Sequence, residues 1–440
     1  MAAPRPASPP SAADAAPLPV CGPIRVQRIG ADGDGIAALP DGTALYLPDT
    51  LPGELVQPGP LARRGEGWWA EAQVLEPAPD RAAPPCPHFG VCGGCTLQHW
   101  ADASYAAWKA DQVVDALRRA GARVATPELA RTPPAARRRM DLAIRRDGPA
   151  VLIGLHRRRS RDIVDMHACP VLHPALFALV QALRPVLRRL TGLRREASAV
   201  VNLLDSGPDL LLRTDAPLTA GDRTLLTELA RAHGLARISW APGLQRGAPL
   251  EPEPACLLRP AATAFSGVVT EIPPGAFLQA SQAGEAAIVA AVLAALPAMP
   301  LKARIIELFA GCGSITHALS KHGRVQAYEG DLAAFTALRR AANRRVTATH
   351  RDLARQPLQA AELKGAAAIV LDPPHMGALA QIPALAASGV PIVYVSCNPA
   401  ALARDGRLLV TAGYRVASVA AIDQFLWSAR VESVVGFVRG

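Results

Sequence analysis

A chain of 440 residues exceeds one ordinary hydrophobic core and calls for about two to four folding units. Its formal charge of +10 draws it to polyanions, although a genome that prefers Arg to Lys supplies part of that excess without any function. Eight cysteines without a secretory leader argue against a disulfide framework and for ligation or catalysis.

In chain order, residues 1–17 are rich in Ala, Pro and Ser, lack the continuous apolar run of a signal peptide, and read as a disordered tail. Residues 18–79 alternate short apolar and polar runs between Asp-Gly and Pro-Gly punctuation, the pattern of a small antiparallel barrel. Such barrels present a basic face to single-stranded nucleic acid or serve as protein contacts. A proline-rich linker at 77–85 leads into Cys86, Cys92 and Cys95. Residues 97–120 then read as a helix, with Trp100, Tyr105, Trp108, Val113, Val114 and Leu117 as its apolar stripe and Gly121 as its stop. Arginines at 137–139, 145–146, 157–159 and 161 suit phosphate contact or a solvated face equally. The most apolar helix candidate, 285–297, is shorter than the roughly 20 residues of a bilayer span, so a soluble, cytoplasmic protein without membrane contact is expected.

From 275 onward helix and strand alternate: helix 285–296, strand 304–309, helix 314–322, strand 325–329, helix 333–343, strand 367–371 and strand 392–396. The fold class expected is therefore α/β, with a doubly wound, Rossmann-like domain at 275–440, a small N-terminal β-barrel at 18–79 and a central α+β domain at 80–274. Ligands of such a sheet bind at the carboxyl ends of its strands. There Gly311 and Gly313 let the backbone approach a nucleotide-like cofactor, and Glu329 ends the next strand, where a carboxylate can hold a ribose; a plain tight turn would look the same. Cys397 follows an apolar strand, with Asn398 as N-cap and Pro399 as first helical residue, so helix amides and dipole should favour its thiolate; a small packed cysteine is the bland alternative. Cys21, Cys256 and Cys312 have no such setting and are read as packing residues.

A thiolate beside a methyl-donating sulfonium suits C5 of uracil, which accepts a methyl group only after sulfur has added at C6. With Val395–Arg404 reading VSCNPAALAR, Asp372-Pro373-Pro374 before it and Val431-Glu432-Ser433 after it, the chain resembles the RNA uracil-5-methyltransferase family, most nearly its 23S ribosomal RNA branch. The likeness spans nearly the whole chain, and the barrel looks like that family's TRAM domain. The resemblance implies S-adenosylmethionine as cofactor, Cys397 as the nucleophile at C6 and Glu432 as the base for the C5 proton. From periodicity alone Glu432 is equally an exposed strand residue. It also implies cofactor contacts for Gln279, in an F-x-Q element, and for Phe309, Ser314, Glu329, Asp352 and Asp372.

The chain departs from the family pattern at His375, where arginine is usual, at Arg430, where histidine is common, and at Ser281 in place of asparagine. Cys86, Cys92, Cys95 and Cys169 could hold a 4Fe-4S cluster or a zinc ion. The loose spacing, the proline after Cys169 and the ribosomal branch's own cluster favour iron and sulfur, in a structural or RNA-positioning role. His88, His99 and His167 are taken as surface residues. The expectation is a monomer acting on RNA, ribosomal RNA before transfer RNA. The alternatives are a non-catalytic RNA-binding protein with a degenerate methyltransferase domain and a radical enzyme, the latter disfavoured by the cysteine spacing.

Overall fold

The computed structural model describes residues 22–243 and 251–440; the tail expected at 1–17 and Cys21 lie outside them. The chain divides into two compact units. The first comprises the described part of Met1–Ala83 together with Thr96–Ala101. Its strands form a three-stranded sheet (Ile24–Arg25, Leu55–Pro58, Ala72–Glu76) and a five-stranded one (Arg28–Ile29, Gly35–Ala38, Ala44–Leu47, Gly67–Trp69, Ala62–Arg64). Alternation puts Val56, Val74, Ala37, Leu45 and Leu47 of both sheets into one core. Glu54 is buried there and accepts from the Leu51 amide and from Arg81, so its charge is paired rather than stranded.

The second unit holds Pro84–Cys95 and Asp102–Gly440. Its central part is a seven-stranded sheet on which helices Pro174–Arg189 and Ala220–Ala232 pack a leucine-rich core. Two of the arginine clusters contribute internal ties instead of phosphate contacts. The buried Arg138 pairs with Glu285 at 2.7 Å, and the Arg146 guanidinium takes the carbonyls of Leu187, Arg188, Leu190 and Leu193. A guanidinium has five donors, and the carbonyls left open at the end of a helix are ready acceptors.

The C-terminal part is an eight-stranded sheet in the order Val346–His350, Arg324–Glu329, Arg304–Leu308, Ala368–Leu371, Ile392–Ser396, Glu432–Arg439, Tyr414–Asp423, Leu129–Arg131. The first five strands are parallel, Glu432–Arg439 runs antiparallel between its two neighbours, and Leu129–Arg131 joins from the central part of the chain. Strand order reverses between Arg304–Leu308 and Ala368–Leu371, the crevice where a doubly wound sheet binds ligands. The expected helix 97–120 is Asp102–Arg119: Leu97 and Trp100 lie before it, while Val113, Ala116 and Leu117 pack into the core of the C-terminal sheet. The expected helix 314–322 shrinks to Thr316–Leu319, because the turn before it consumes residues through 315. Strand Val346–His350 was not expected: only Val346 is buried on this edge strand, so it carries no apolar run. No helix among the described residues is long and apolar enough to cross a membrane.

Candidate active site

The first parallel strand ends in a tight turn whose backbone is unusual at three places, Phe309 (φ 63°), Gly311 (φ 56°) and Gly313 (φ 98°). A Cβ on Gly313 would stand 2.7 Å from Leu338 and 2.9 Å from the His317 ring, so only glycine fits. A Cβ on Gly311 would meet nothing within 4 Å, which leaves that side of the turn open. A bulky residue held at positive φ, as Phe309 is, costs energy and clusters at functional sites. Glu329 braces the turn, one oxygen accepting from the Gly311 amide at 2.7 Å and the other from the Asp331 amide at 2.6 Å. The backbone of Asp352 lies against Gly330, and its exposed carboxylate accepts the amides of Ala354 and Arg355. Ser314 is half-buried one residue past Gly313.

The Cys397 and Glu432 positions come together through sheet register. Ile392–Ser396 pairs antiparallel with Glu432–Arg439, Ser396 opposite Ser433, so the next rung sets Cys397 opposite Glu432. Asn398 caps the following helix by accepting from the Ala400 amide, and Pro399 opens it. Yet the thiol is not stabilised as a thiolate. Burial pushes Cys397 up to about 12, and the nearby Glu432 and Asp372 carboxyls add to the rise, outweighing Arg430 and the cysteine's own backbone amide. The expected effect of the helix terminus is thus reversed by desolvation and two acidic neighbours.

Glu432 is buried, not exposed. Burial and Asp372 raise it from 4.5 to about 8, while a hydrogen bond from Gln424 opposes the rise. Half-buried Asp372, at the end of Ala368–Leu371, is raised from 3.8 to about 7 by desolvation. A chain of side-chain amides joins the two acids. The Ala280 amide must donate, so the Gln424 oxygen faces it (3.1 Å) and the Gln424 nitrogen donates both to Glu432 (2.8 Å) and to the Gln279 oxygen (2.7 Å). That fixes the Gln279 nitrogen toward Asp372, at 3.2 Å. Beneath the turn, Glu307 is also buried, and burial raises it to about 8.

Residues 276–439 match the tRNA (uracil-5-)-methyltransferase family. An RNA methyltransferase of Mesorhizobium japonicum is 39% identical over 415 residues, 93% of this chain and 96% of that protein. The 23S rRNA (uracil(1939)-C(5))-methyltransferase of Nitrosospira multiformis is 32% identical over 436 residues, 95% of this chain and 98% of its own length. The chain belongs to the RNA (uracil-5-)-methyltransferase family. It is accordingly an S-adenosylmethionine-dependent RNA methyltransferase. In fold it is similar to the Pyrococcus abyssi tRNA (uracil-54, C5)-methyltransferase, solved in complex with S-adenosyl-L-homocysteine, with a TM-score of 0.72, 20% identity, and coverage of 94% of this chain and 99% of that one.

Within this methyltransferase two of the three departures from the family pattern, His375 and Arg430, act on the same sulfur. His375 Nδ1 is 3.8 Å from Cys397 Sγ, and Arg430 acts electrostatically on both Cys397 and His375. Sequence reasoning missed Gln424 and the buried trio that anchors its segment. Asp423 accepts from Tyr105 (2.7 Å) and Lys109 (2.8 Å), and Lys109 also takes the carbonyls of Phe425 and Arg430. The signal available was Tyr105 and Lys109 four apart on one helix face, beside an Asp-Gln pair at a strand end.

The cysteine quartet is assembled from loops. The three-cysteine loop docks on the central sheet through Cys92 opposite Arg157 and the Gly93 amide on the His156 carbonyl. His88 is no free surface residue, since its Nε2 accepts the amides of His167 and Ala168 and so ties the loop to the Cys169 segment. His99 is fully buried in the first unit, also against expectation. Burial raises the Cys86 and Cys92 thiols, and Cys169 raises both further. Cys95 in turn acts on Lys109 and Arg137. Among the described residues no group of three or more His, Cys, Asp or Glu side chains is arranged to hold a metal ion.

Proposed function

We propose that this methyltransferase modifies C5 of a uridine in 23S ribosomal RNA through a covalent bond between Cys397 and C6. The observation that carries the reading is the pairing that ends with Ser396 opposite Ser433, which brings Cys397 near a buried, proton-hungry Glu432. The open side of Gly311, the Glu329 carboxylate and the acidic Asp372 and Glu432 suit a cationic nucleoside cofactor, and Gln279, Phe309, Ser314 and Asp352 border the same strand ends. S-adenosylmethionine, when bound, supplies an electrophilic methyl group. Sulfur adds to C6, and the electrons of the C5–C6 double bond make C5 the carbon that takes the methyl. Glu432 then accepts the C5 proton, the C–H electrons restore the double bond, and Cys397 leaves as the thiolate. A carboxylate raised to about 8 is a far better base for that step than an ordinary one.

Ribosomal RNA is favoured over transfer RNA because the relative acting on 23S rRNA matches over nearly its full length. The first unit is read as a TRAM-type RNA-binding barrel, where Arg63 stacks on Trp68 and Arg64 on Tyr46. Cys86, Cys92, Cys95 and Cys169 are read as ligands of a 4Fe-4S cluster with a structural role. The support is the docking of their two segments and the electrostatic effect of Cys169 on Cys86 and Cys92. The enzyme acts as a monomer in the cytoplasm in this reading. Mapping 5-methyluridine in ribosomal and transfer RNA incubated with the protein and S-adenosylmethionine tests it. One modified uridine in 23S RNA, absent with Cys397→Ala, is expected; modification of transfer RNA alone, or full activity of Cys397→Ala, would overturn it. Anaerobic reconstitution should give about four irons per chain, and one or none would remove the cluster.

A further inference from the structure

Resting on that reading, we propose that His375 is the base that takes the Cys397 thiol proton as sulfur attacks, and that Arg430 is the cation that steadies the sulfur. The attack needs such a partner, because a thiol raised to about 12 holds its proton at neutral pH and its own backbone amide does not suffice. Glu432 cannot fill the role. A Glu432 that received the thiol proton in the first step would be protonated when the C5 proton has to be removed, and the acid and base tasks would collide. Asp372 is engaged with Gln279 and shares the same desolvated pocket.

His375 has the geometry for the task. Its Nδ1 is 3.8 Å from Cys397 Sγ, within reach for a sulfur donor, and it is a bare acceptor when Nε2 carries the ring proton. Its backbone is pinned to the N-cap and body of the helix that follows the cysteine. The His375 carbonyl accepts from Asn398 Nδ2 at 2.8 Å, and the Met376 carbonyl accepts from Arg404 at 2.8 Å. Partial desolvation on the side that faces the pocket and then Arg430 lower the ring's affinity for a proton, which keeps it neutral and ready at pH 7. Arg430 in turn is placed by its own carbonyl, which Lys109 grips from below. The groups facing the sulfur are therefore His375, Arg430, Glu432 and Asp372, one base and one cation against two acids.

This arrangement explains the departures at His375 and Arg430 together. With arginine usual at the first place and histidine common at the second, the chain has exchanged the two residues across one sulfur and kept a base and a cation there. In the step itself the S–H bond breaks toward His375 Nδ1, the sulfur pair forms the bond to C6, and the ring electrons move to C5 and its carbonyl. When Cys397 is expelled at the end, the imidazolium returns the proton to sulfur.

The test is the rate at which the full-length protein, with S-adenosylmethionine, forms its covalent adduct on 5-fluorouridine RNA, measured against pH. Fluorine at C5 stops the reaction before Glu432 acts, so the rate reads sulfur attack and methyl transfer without the final proton removal. The wild type should rise through a titration below 6.5 and then level. His375→Ala should be slower at neutral pH by about 10²–10⁴-fold, keep climbing with pH, and recover part of its rate with added imidazole. The side chain is exposed, so cofactor affinity should not change. His375→Arg should be as slow, and the double exchange His375→Arg with Arg430→His should recover at least about tenfold of that loss. A His375→Ala protein with the wild-type rate and profile overturns the proposal, and so does a slow one that neither imidazole nor the double exchange improves. A wild type that forms no adduct at all defeats the covalent mechanism itself, not only the role of His375.

Discussion

The catalytic pocket and the cysteine quartet lie in the same unit and face the same electrostatic problem, several acidic groups gathered out of water. They solve it differently. In the pocket, strand register sets Cys397 opposite Glu432, and amides of Gln424 and Gln279 hold both carboxyls in place. In the quartet, loops carry the thiols, and two amides on one His88 nitrogen join the two segments. The pocket is preorganised by the sheet, whereas the quartet rests on loops and on the two amides that His88 accepts.

Substitutions at the two places should therefore separate cleanly. Cys397→Ala should lower methyl transfer by about 10⁴–10⁶-fold and leave the melting temperature alone, since the side chain touches no core. Cys169→Ala should lower the melting temperature and iron content while the Cys397 chemistry survives in the folded fraction. Similar melting losses in both proteins would erase the contrast.

Glu432→Gln comes next, with release of the methylated RNA slowed by about 10²–10⁴-fold, so that a denaturation-resistant protein–RNA complex accumulates on natural RNA. The same change should stabilise the cofactor-free protein at pH 8. Glu432 and Asp372 titrate in the fold at about 8 and about 7, against ordinary values of 4.5 and 3.8. The folded state thus binds their protons more tightly than the unfolded chain. Their contribution is complete below about pH 4 and is lost as pH rises through 7 to 8. Thermal melts of wild type and variant across that range check the sign; a variant that melts lower than wild type at pH 8 would refute it.

Lys109→Ala should cost about 3–5 kcal/mol in urea unfolding, because it leaves the buried Asp423 without its ion pair. A loss below 1 kcal/mol would mean that Asp423 takes up a proton at little cost. Smallest is Gln424→Leu, about 1–3 kcal/mol from the unpaired Ala280 amide and the Glu432 oxygen. Since Gln424 opposes the rise of Glu432, its removal should also move the pH dependence of RNA release upward. An unmoved profile would show that Gln424 only packs.

What could be read from the sequence was what is local. The strand, cap and proline around Cys397 and the glycines at 311 and 313 are written in consecutive residues, and the structure has them there. The state of the thiol was not legible. The helix terminus is visible in five letters, but the opposing carboxyls arrive from strands that meet only in the folded sheet. Gln424 and Lys109 were missed for the same reason, the latter bonding Asp423 across 314 positions. The burial of Glu432 was decided by its central place between two strands, which periodicity cannot show. The arginines of 138 and 146 misled in the other direction, since a cluster of cations looks alike whether it meets phosphate or helix carbonyls.

The most direct test of the covalent step is peptide mass spectrometry on the protein after reaction with 5-fluorouridine RNA and S-adenosylmethionine. A methylated fluorouridine attached to the peptide that contains Cys397 is the result predicted. A nucleotide attached at any other residue, or an intact Cys397 thiol in a protein that has methylated its RNA, would contradict the account.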